Sequence, residues 1–172
     1  MSLDAALDRM AEVPDFPAPG VVFRDLNPVL ADGGAFITVV NALGGTVDGD
    51  VDVVVGVEAR GFLLAGGVGY ARGIGVVPVR KPGKLPVVAE REEYALEYGT
   101  ATLELPRGAL LPGQRVVVLD DVLATGGTAA AACRLVERAG AVVSGVSVVV
   151  ELSALDGRSR LAGRTVCALL TA

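Results

Sequence analysis

Val116-Val117-Val118-Leu119-Asp120-Asp121-Val122-Leu123-Ala124-Thr125-Gly126-Gly127-Thr128 is the stretch whose reading decides the fold. Four apolar residues run straight into two acids, a short apolar spacer follows, and a Thr-Gly-Gly-Thr loop closes the stretch. Ala129 to Ala139 then reads as a helix. A continuous β-branched run suits a buried parallel strand. Gly126 and Gly127 lack Cβ atoms, so the backbone there can turn tightly and approach a ligand closely. Consecutive N–H groups in such a turn point inward and form a concave anion site. The helix start adds unpaired N–H groups and the positive end of its dipole. Thr125 and Thr128 contribute hydroxyls, and Thr128 is also a candidate helix cap. The loop has no lysine, which disfavours a Walker A loop and a nucleoside triphosphatase. Asp120 and Asp121 fall at the carboxyl end of the expected strand, where open α/β sheets bind ligands. Two adjacent acids repel unless something positive or hydroxylated lies between them. Ribose hydroxyls and a hydrated Mg²⁺ meet that need, because Mg²⁺ takes one or two carboxylates together with substrate oxygens. The stretch is therefore expected to bind a phosphorylated sugar with a metal. The plainer alternative is a strand that ends in a polar turn capping a helix.

The rest of the chain narrows the chemistry. At 172 residues it is most simply one domain with a full core. Hydrophobic residues make up 52%, yet no 18-residue apolar stretch is free of charges or glycine clusters, so a membrane span is not expected. The first residues, Met1 to Arg9, are too polar for a signal peptide. Cys133 and Cys167 have no paired metal-ligand spacing, which fits core residues in a reduced, cytoplasmic setting. A net charge of −5 disfavours general nucleic-acid binding. The chain contains no histidine, which removes Ser–His and Cys–His catalysis and the usual zinc sites. Acid–base work must fall to carboxylates, lysine, tyrosine or the substrate itself.

Ser2 to Glu12 has the apolar spacing of a helix, and Pro14, Pro17 and Pro19 then enforce an extended segment. Further helices are expected at 35–43 and 61–72, and strands at 51–57, 75–79, 100–105, 115–119, 142–150 and 164–170. Residues 81–99 form a long polar connection of the kind that often serves as a lid. Strands alternating with helices predict a right-handed, mainly parallel α/β sheet. Two further segments have the chemistry of anion binding. Val57-Glu58-Ala59-Arg60-Gly61-Phe62 leaves a buried strand and opens a helix, with Arg60 suited to bidentate phosphate contact. Arg80-Lys81-Pro82-Gly83-Lys84-Leu85-Pro86 concentrates three cations in five residues. It suits a polyphosphate clamp or a solvated basic turn, and the acids at 90–93 are available to pair with it.

Val116 to Thr128 resembles the 5-phosphoribosyl-1-pyrophosphate (PRPP) signature of the type I phosphoribosyltransferases. Asp15 to Asp25, Arg80 to Pro86 and Tyr94 to Gly99 are similar to the adenine-specific members of that family. The resemblance implies a single domain over 1–172, with a base-recognition segment at 1–34 and a flexible lid or hairpin, the hood, at 80–105. It implies transfer of the phosphoribosyl group from PRPP to adenine, giving AMP and pyrophosphate in purine salvage. It implies Mg²⁺ carried by the substrate diphosphate and ribose hydroxyls, a homodimer, a cytoplasmic setting, and no nucleic-acid or membrane partner. Val22, Phe23, Arg24 and Leu152 would then bind adenine. Arg60, Lys81 and Lys84 would hold pyrophosphate, and Asp120 and Asp121 the ribose hydroxyls. Ala124, Thr125, Gly126, Gly127 and Thr128 would cradle the 5-phosphate. Glu97 and Tyr98 would belong to the hood, Glu97 as a candidate proton-handling residue. Two alternatives stay open: a phosphoribosyltransferase for xanthine, guanine or orotate, and a non-catalytic PRPP-sensing regulator.

Overall fold

The computed structural model describes residues 1–16, 18–95 and 99–172. They fall into two compact units, residues 1–42 and 43–172.

In the first unit, Ser2 caps a short helix α1 (Leu3–Leu7), its hydroxyl accepting from the Ala5 N–H at 3.2 Å. The helix expected to run to Glu12 stops here. Residues Ala11–Pro14 instead form strand β1, which pairs antiparallel with β2 (Val22–Asp25), Ala11 opposite Asp25 and Pro14 opposite Val22. Inter-strand pairing has overridden local helical spacing, as tertiary context often does. The turn between them is tied by the Asp15 carboxylate, which accepts from the Gly20 N–H at 2.7 Å. Helix α2 (Asn27–Ala31) follows, and α3 (Gly33–Gly45) carries the chain into the second unit.

The second unit is built on a five-stranded parallel sheet in the order β4-β3-β7-β8-β9. The strands are β3 (Val53–Val57), β4 (Gly75–Val79), β7 (Arg115–Leu123), β8 (Val142–Glu151) and β9 (Val166–Thr171). Every residue of β3 is buried, as a central strand covered on both faces requires. Helix α4 (Arg60–Arg72) links β3 to β4, and α5 (Gly127–Arg138) links β7 to β8. The core joins the β3 and β7 valines to the small face of α5, where Ala129 to Cys133 are all buried. Burial pushes the Cys133 thiol up to about 11, which makes it a packing residue and no nucleophile. Cys167 is only half-buried, so the core expectation holds for Cys133 alone.

The polar connection at 81–99 is not all loop. Strand β5 (Val88–Ala95) occupies much of it and pairs antiparallel with β6 (Thr100–Pro106). Glu90 and Glu92 of β5 turn to α5 instead of the basic segment at 80–84. Glu92 accepts from Arg134 and Arg138 of α5, Arg138 also reaches Glu90 at 3.1 Å, and Arg91 pairs with Glu104 of β6. The period-two exposure of β5 puts Glu90, Glu92 and Tyr94 on the face that meets α5. The hydrogen bond from Arg138, against the opposing effect of burial and with further help from Arg134, holds the Glu92 carboxyl below its ordinary range. A depressed pKa contributes stability above about pH 4.5 that is lost as pH falls through the lowered value. Hydrogen exchange should therefore show β5 amides opening faster in Arg138→Ala at neutral pH, and in the native protein as pH falls well below 4.5, with β3 and β7 unchanged. Equal exchange in β5 would show that these pairs do not hold the hairpin.

Candidate active site

β7 runs four residues further than expected, through both acids to Leu123, because Asp120 and Val122 still pair with Val148 and Val150 of β8. The strand end, the loop after it and the first turn of α5 surround an open depression of about 290 Å³, lined by Asp120 and residues 122–129. Gly126 precedes α5 in the left-handed region, φ +78°, and no side chain caps the helix. Thr128 is therefore not the cap. It lies inside the first turn, and its hydroxyl donates to the Tyr94 phenol oxygen at 3.2 Å. A helix start without a side-chain cap leaves N–H groups for a ligand.

The loop is supported from behind by residues 153–161, which follow Leu152 and have no role in the sequence analysis. Leu152, at the end of β8, donates its N–H to the Leu123 carbonyl at 2.9 Å. Two 3₁₀ turns follow, Ser153–Leu155 and Gly157–Leu161. Gly157 abuts Gly126 so closely that a Cβ on Gly126 would lie 2.2 Å from the Gly157 carbonyl oxygen. A Cβ on Gly157 would lie 2.3 Å from the Ala124 carbonyl oxygen. Arg158 fixes the segment with a two-pronged contact to Glu151, both bonds 2.7 Å, and a third bond to the Val166 carbonyl. Asp156-Gly157 is a turn signal in the sequence, but only the fold shows that the turn meets the loop.

The two acids differ in environment. Asp121 is 6% exposed, and its carboxylate meets Arg60 Nε at 2.6 Å. Asp120 lines the depression and accepts the Asp121 N–H at 2.9 Å. Burial first, and the adjacent Asp121 charge second, push the Asp120 carboxyl well above the usual carboxylate range. The positive partner that two neighbouring acids require is thus supplied by the chain itself, on Asp121. Arg60 can reach it because the start of α4 abuts β7, where a Cβ on Gly61 would lie 2.9 Å from the Leu119 carbonyl oxygen.

Glu58 is a further residue that the sequence reading quoted without a role. Its carboxylate accepts the Lys81 N–H at 2.8 Å and Arg80 Nε at 3.4 Å, while the Arg80 guanidinium stands 5.5 Å from the Phe62 ring centre. The Lys81 amide, and less strongly the Arg80 charge, hold the Glu58 carboxyl below its ordinary range, with burial acting in the opposite sense. One acid thereby ties the turn after β3 to the cationic segment after β4. Lys81 and Lys84 are exposed. Removing the acceptor in Glu58→Ala should raise the KM for a polyphosphate substrate by about ten-fold, while Glu58→Gln keeps an acceptor and loses less. Steady-state kinetics on both variants would check this; equal KM values for the two would refute a positioning role.

In the first unit, Val22, Phe23 and Arg24 all lie on β2. Val22 is exposed, the Phe23 ring meets Phe16 edge-on at 5.1 Å, and Arg24 pairs with Glu12 across the hairpin. Glu97 and Tyr98 lie outside the described residues. Arg60, Asp120, Asp121, residues 124–128 and Leu152 converge on the carboxyl ends of β7 and β8.

The phosphoribosyl transferase domain model matches residues 30–162. An adenine phosphoribosyltransferase of Saccharopolyspora erythraea is 60% identical over 170 residues, covering 99% of this chain and 92% of that protein. The crystal structure of adenine phosphoribosyltransferase from Thermoanaerobacter pseudethanolicus superposes with a TM-score of 0.96 at 44% identity, covering 99% of this chain and all of that one. The Saccharomyces cerevisiae enzyme, crystallised with an imino-altritol bisphosphate and adenine, gives 0.90 at 36% identity, covering 95% and 96%. The chain belongs to the phosphoribosyltransferase family. Within that family its relatives place it among the adenine phosphoribosyltransferases.

Proposed function

We infer that this chain is the enzyme that transfers the 5-phosphoribosyl group of PRPP to adenine, giving AMP and pyrophosphate in purine salvage. The observation that carries the reading is the junction of β7 and α5. There a paired acid, an acid that faces the depression, and a glycine loop opening a helix that no side chain caps stand within nine residues. High identity to adenine-using relatives supports the choice of base over xanthine, guanine or orotate, and over a non-catalytic PRPP sensor.

Residues 124–128 hold the 5-phosphate through backbone N–H groups and the threonine hydroxyls. Asp120, which lines the depression, and Asp121, which is held by Arg60 beside it, are the proposed partners of the ribose hydroxyls. Arg60, Lys81 and Lys84 hold the diphosphate, so that charge developing on it meets fixed cations. Val22, Phe23 and Arg24, with Leu152, bind adenine. Since the Arg24 side chain is paired with Glu12, main-chain groups of the segment read the base edge. The ribose C1–oxygen bond breaks with oxocarbenium character, and adenine N9 forms the new bond from the opposite face. Alignment of the two substrates supplies much of the rate. The hood closes over them and excludes water that would hydrolyse PRPP. Glu97 is a proposed proton-handling group, and Tyr98 a proposed PRPP contact.

The oxygen donors at the β7 end, Asp120, Asp121, Thr125 and Thr128, suit a hard cation such as Mg²⁺. Among the described residues no three His, Cys, Asp or Glu side chains cluster to hold a metal alone, so Mg²⁺ belongs with the substrate oxygens. When bound it neutralises diphosphate charge. We also propose a homodimer, supported by Leu63 and Tyr70, which stand exposed seven residues apart on one face of α4. Light scattering tests it, and a monomer at working concentration would refute it. A reduced, cytoplasmic setting is supported by the two free cysteines, and among the described residues no helix is long and apolar enough to cross a membrane.

The deciding experiment is an assay of purified protein with PRPP and adenine, xanthine, guanine or orotate in turn, with Mg²⁺ and with a chelator. AMP from adenine alone, lost on chelation with the melting temperature unchanged, is the expected result. Product from another base, or none from any, would overturn the reading.

A further inference from the structure

The loop that receives the 5-phosphate contains no cation between Ala124 and Thr128, and the nearest charges on its own strand are the two acids. A phosphate monoester carries about −1.5 to −2 charges at pH 7. Backbone N–H groups solvate that charge but do not neutralise it.

The structure supplies a cation from elsewhere in the fold. Arg160 stands on the second 3₁₀ turn, Gly157–Leu161. Its Nη1 lies 3.5 Å from the position that a Cβ on Gly127 would occupy. The same point lies 3.0 Å from the Ala95 carbonyl oxygen and 3.3 Å from the Tyr94 ring. The guanidinium thus reaches the first residue of α5, beside Thr128. The other arginine of the turn, Arg158, is fully engaged with Glu151 and the Val166 carbonyl. Arg160 has no hydrogen-bond or ion-pair partner among the described residues. Its exposure keeps an ordinary arginine from being strained by this. Its placement is not a matter of a loose surface loop, because Gly157 is locked against Gly126 and Arg158 anchors the turn. One arginine of the turn thus holds it to the sheet, and the other stands beside the first residue of α5.

We propose that Arg160 is a specificity-determining residue of this site: the cation that recognises the 5-phosphate of PRPP, and the phosphate of AMP. This rests on the reading of residues 124–128 as the 5-phosphate loop. A guanidinium can donate two parallel N–H bonds to phosphate oxygens, so arginine suits the task better than a point charge. A side chain at Gly127 would crowd the Ala95 carbonyl and the Tyr94 ring first, and the Arg160 guanidinium beside them.

The test is Arg160→Gln beside Arg160→Lys, in the PRPP and adenine assay and in competition with ribose 5-phosphate and with pyrophosphate. Loss of one charge-assisted pair corresponds to about a ten-fold to hundred-fold loss in binding. Arg160→Gln is expected to raise the KM for PRPP by about that factor with kcat and the KM for adenine little changed. Ribose 5-phosphate should weaken as an inhibitor by the same factor, while pyrophosphate keeps its potency. Arg160→Lys should recover part of the loss. Melting temperatures unchanged within a degree or so would show that the fold is intact. An unchanged KM for PRPP in Arg160→Gln would overturn the proposal, and so would equal losses for ribose 5-phosphate and pyrophosphate. Failure of the underlying reading looks different: the native protein itself would then make no AMP.

Discussion

Gly126→Ala is expected to lose PRPP-dependent activity and to lower the melting temperature at the same time. Two physical effects add at this position. The backbone holds φ +78°, which an L side chain adopts only with strain of about 1–3 kcal/mol. The new Cβ would lie 2.2 Å from the Gly157 carbonyl oxygen, so the loop or the 3₁₀ turn must move. Overpacking of this kind typically costs about 1–3 kcal/mol. For a chain of this length each kcal/mol lowers the midpoint by about 2–4 °C, so a total drop of about 5–20 °C is expected. Activity should fall further than stability implies, because the displaced atoms are the N–H donors of the anion site. A 1 Å misplacement of such donors can cost about a hundred-fold. Gly157→Ala tests the same contact from the other side, where the clash is with the Ala124 carbonyl oxygen at 2.3 Å. It carries no side chain into the ligand space. Comparable losses in both variants would show that the backbone contact itself shapes the loop. Calorimetry and PRPP kinetics on the pair are sufficient, and native-like activity in either would refute this account.

The contrast between these glycines marks what the sequence could convey. Gly126 was legible, because a Gly-Gly pair between a β-branched run and a helical run has a local physical meaning. The parallel sheet was legible for the same reason: β3, β4, β7 and β8 are short apolar runs with little competing chemistry. Gly157 and Arg160 were not legible as site residues. Their role depends on a turn beyond β8 folding back on a loop some thirty residues earlier, and no local spacing encodes that contact. β1 was missed because an antiparallel partner eleven or so residues downstream outweighed a helical pattern. β5 was missed because its polar face is paired. Glu90 and Glu92 look like solvated acids until Arg134 and Arg138 arrive from α5. Asp121 shows the same limit. The sequence indicated that two adjacent acids need a positive neighbour, but not that Arg60 would fill that place on one acid and leave the other facing the depression.

That asymmetry predicts opposite stability effects from two single-atom-scale substitutions, Asp120→Asn and Asp121→Asn. Asp120 has its carboxyl raised well above the ordinary value by burial and by its neighbour's charge. A raised folded-state pKa means that the folded chain binds the proton more tightly than the unfolded chain. The associated stability is fully present below the unfolded value of about 4 and is lost as pH rises through the folded value. At neutral pH the native protein therefore keeps a carboxyl that is costly to ionise, and Asp120→Asn removes that cost. Its melting temperature should exceed the native one at pH 8 and converge with it as pH falls towards 4. Asp121→Asn does the reverse. It deprives Arg60 of a carboxylate at 2.6 Å, and for a pair that is half-exposed on the arginine side the loss should be about 1–2 kcal/mol. Both substitutions should nevertheless damage catalysis, since each removes a carboxyl proposed to hold a ribose hydroxyl. Loss of one such bond is worth about 1.5–3 kcal/mol, or about ten-fold to hundred-fold in kcat/KM for PRPP. A variant that gains stability while losing activity is the signature of a residue kept in a costly state for its ligand. Thermal melts of both variants from pH 4 to 8, with PRPP kinetics at pH 7.5, decide the matter. If Asp120→Asn melted below the native protein throughout that range, the carboxyl would have to be stabilising in its charged form, and the division of roles between the two acids would be reversed.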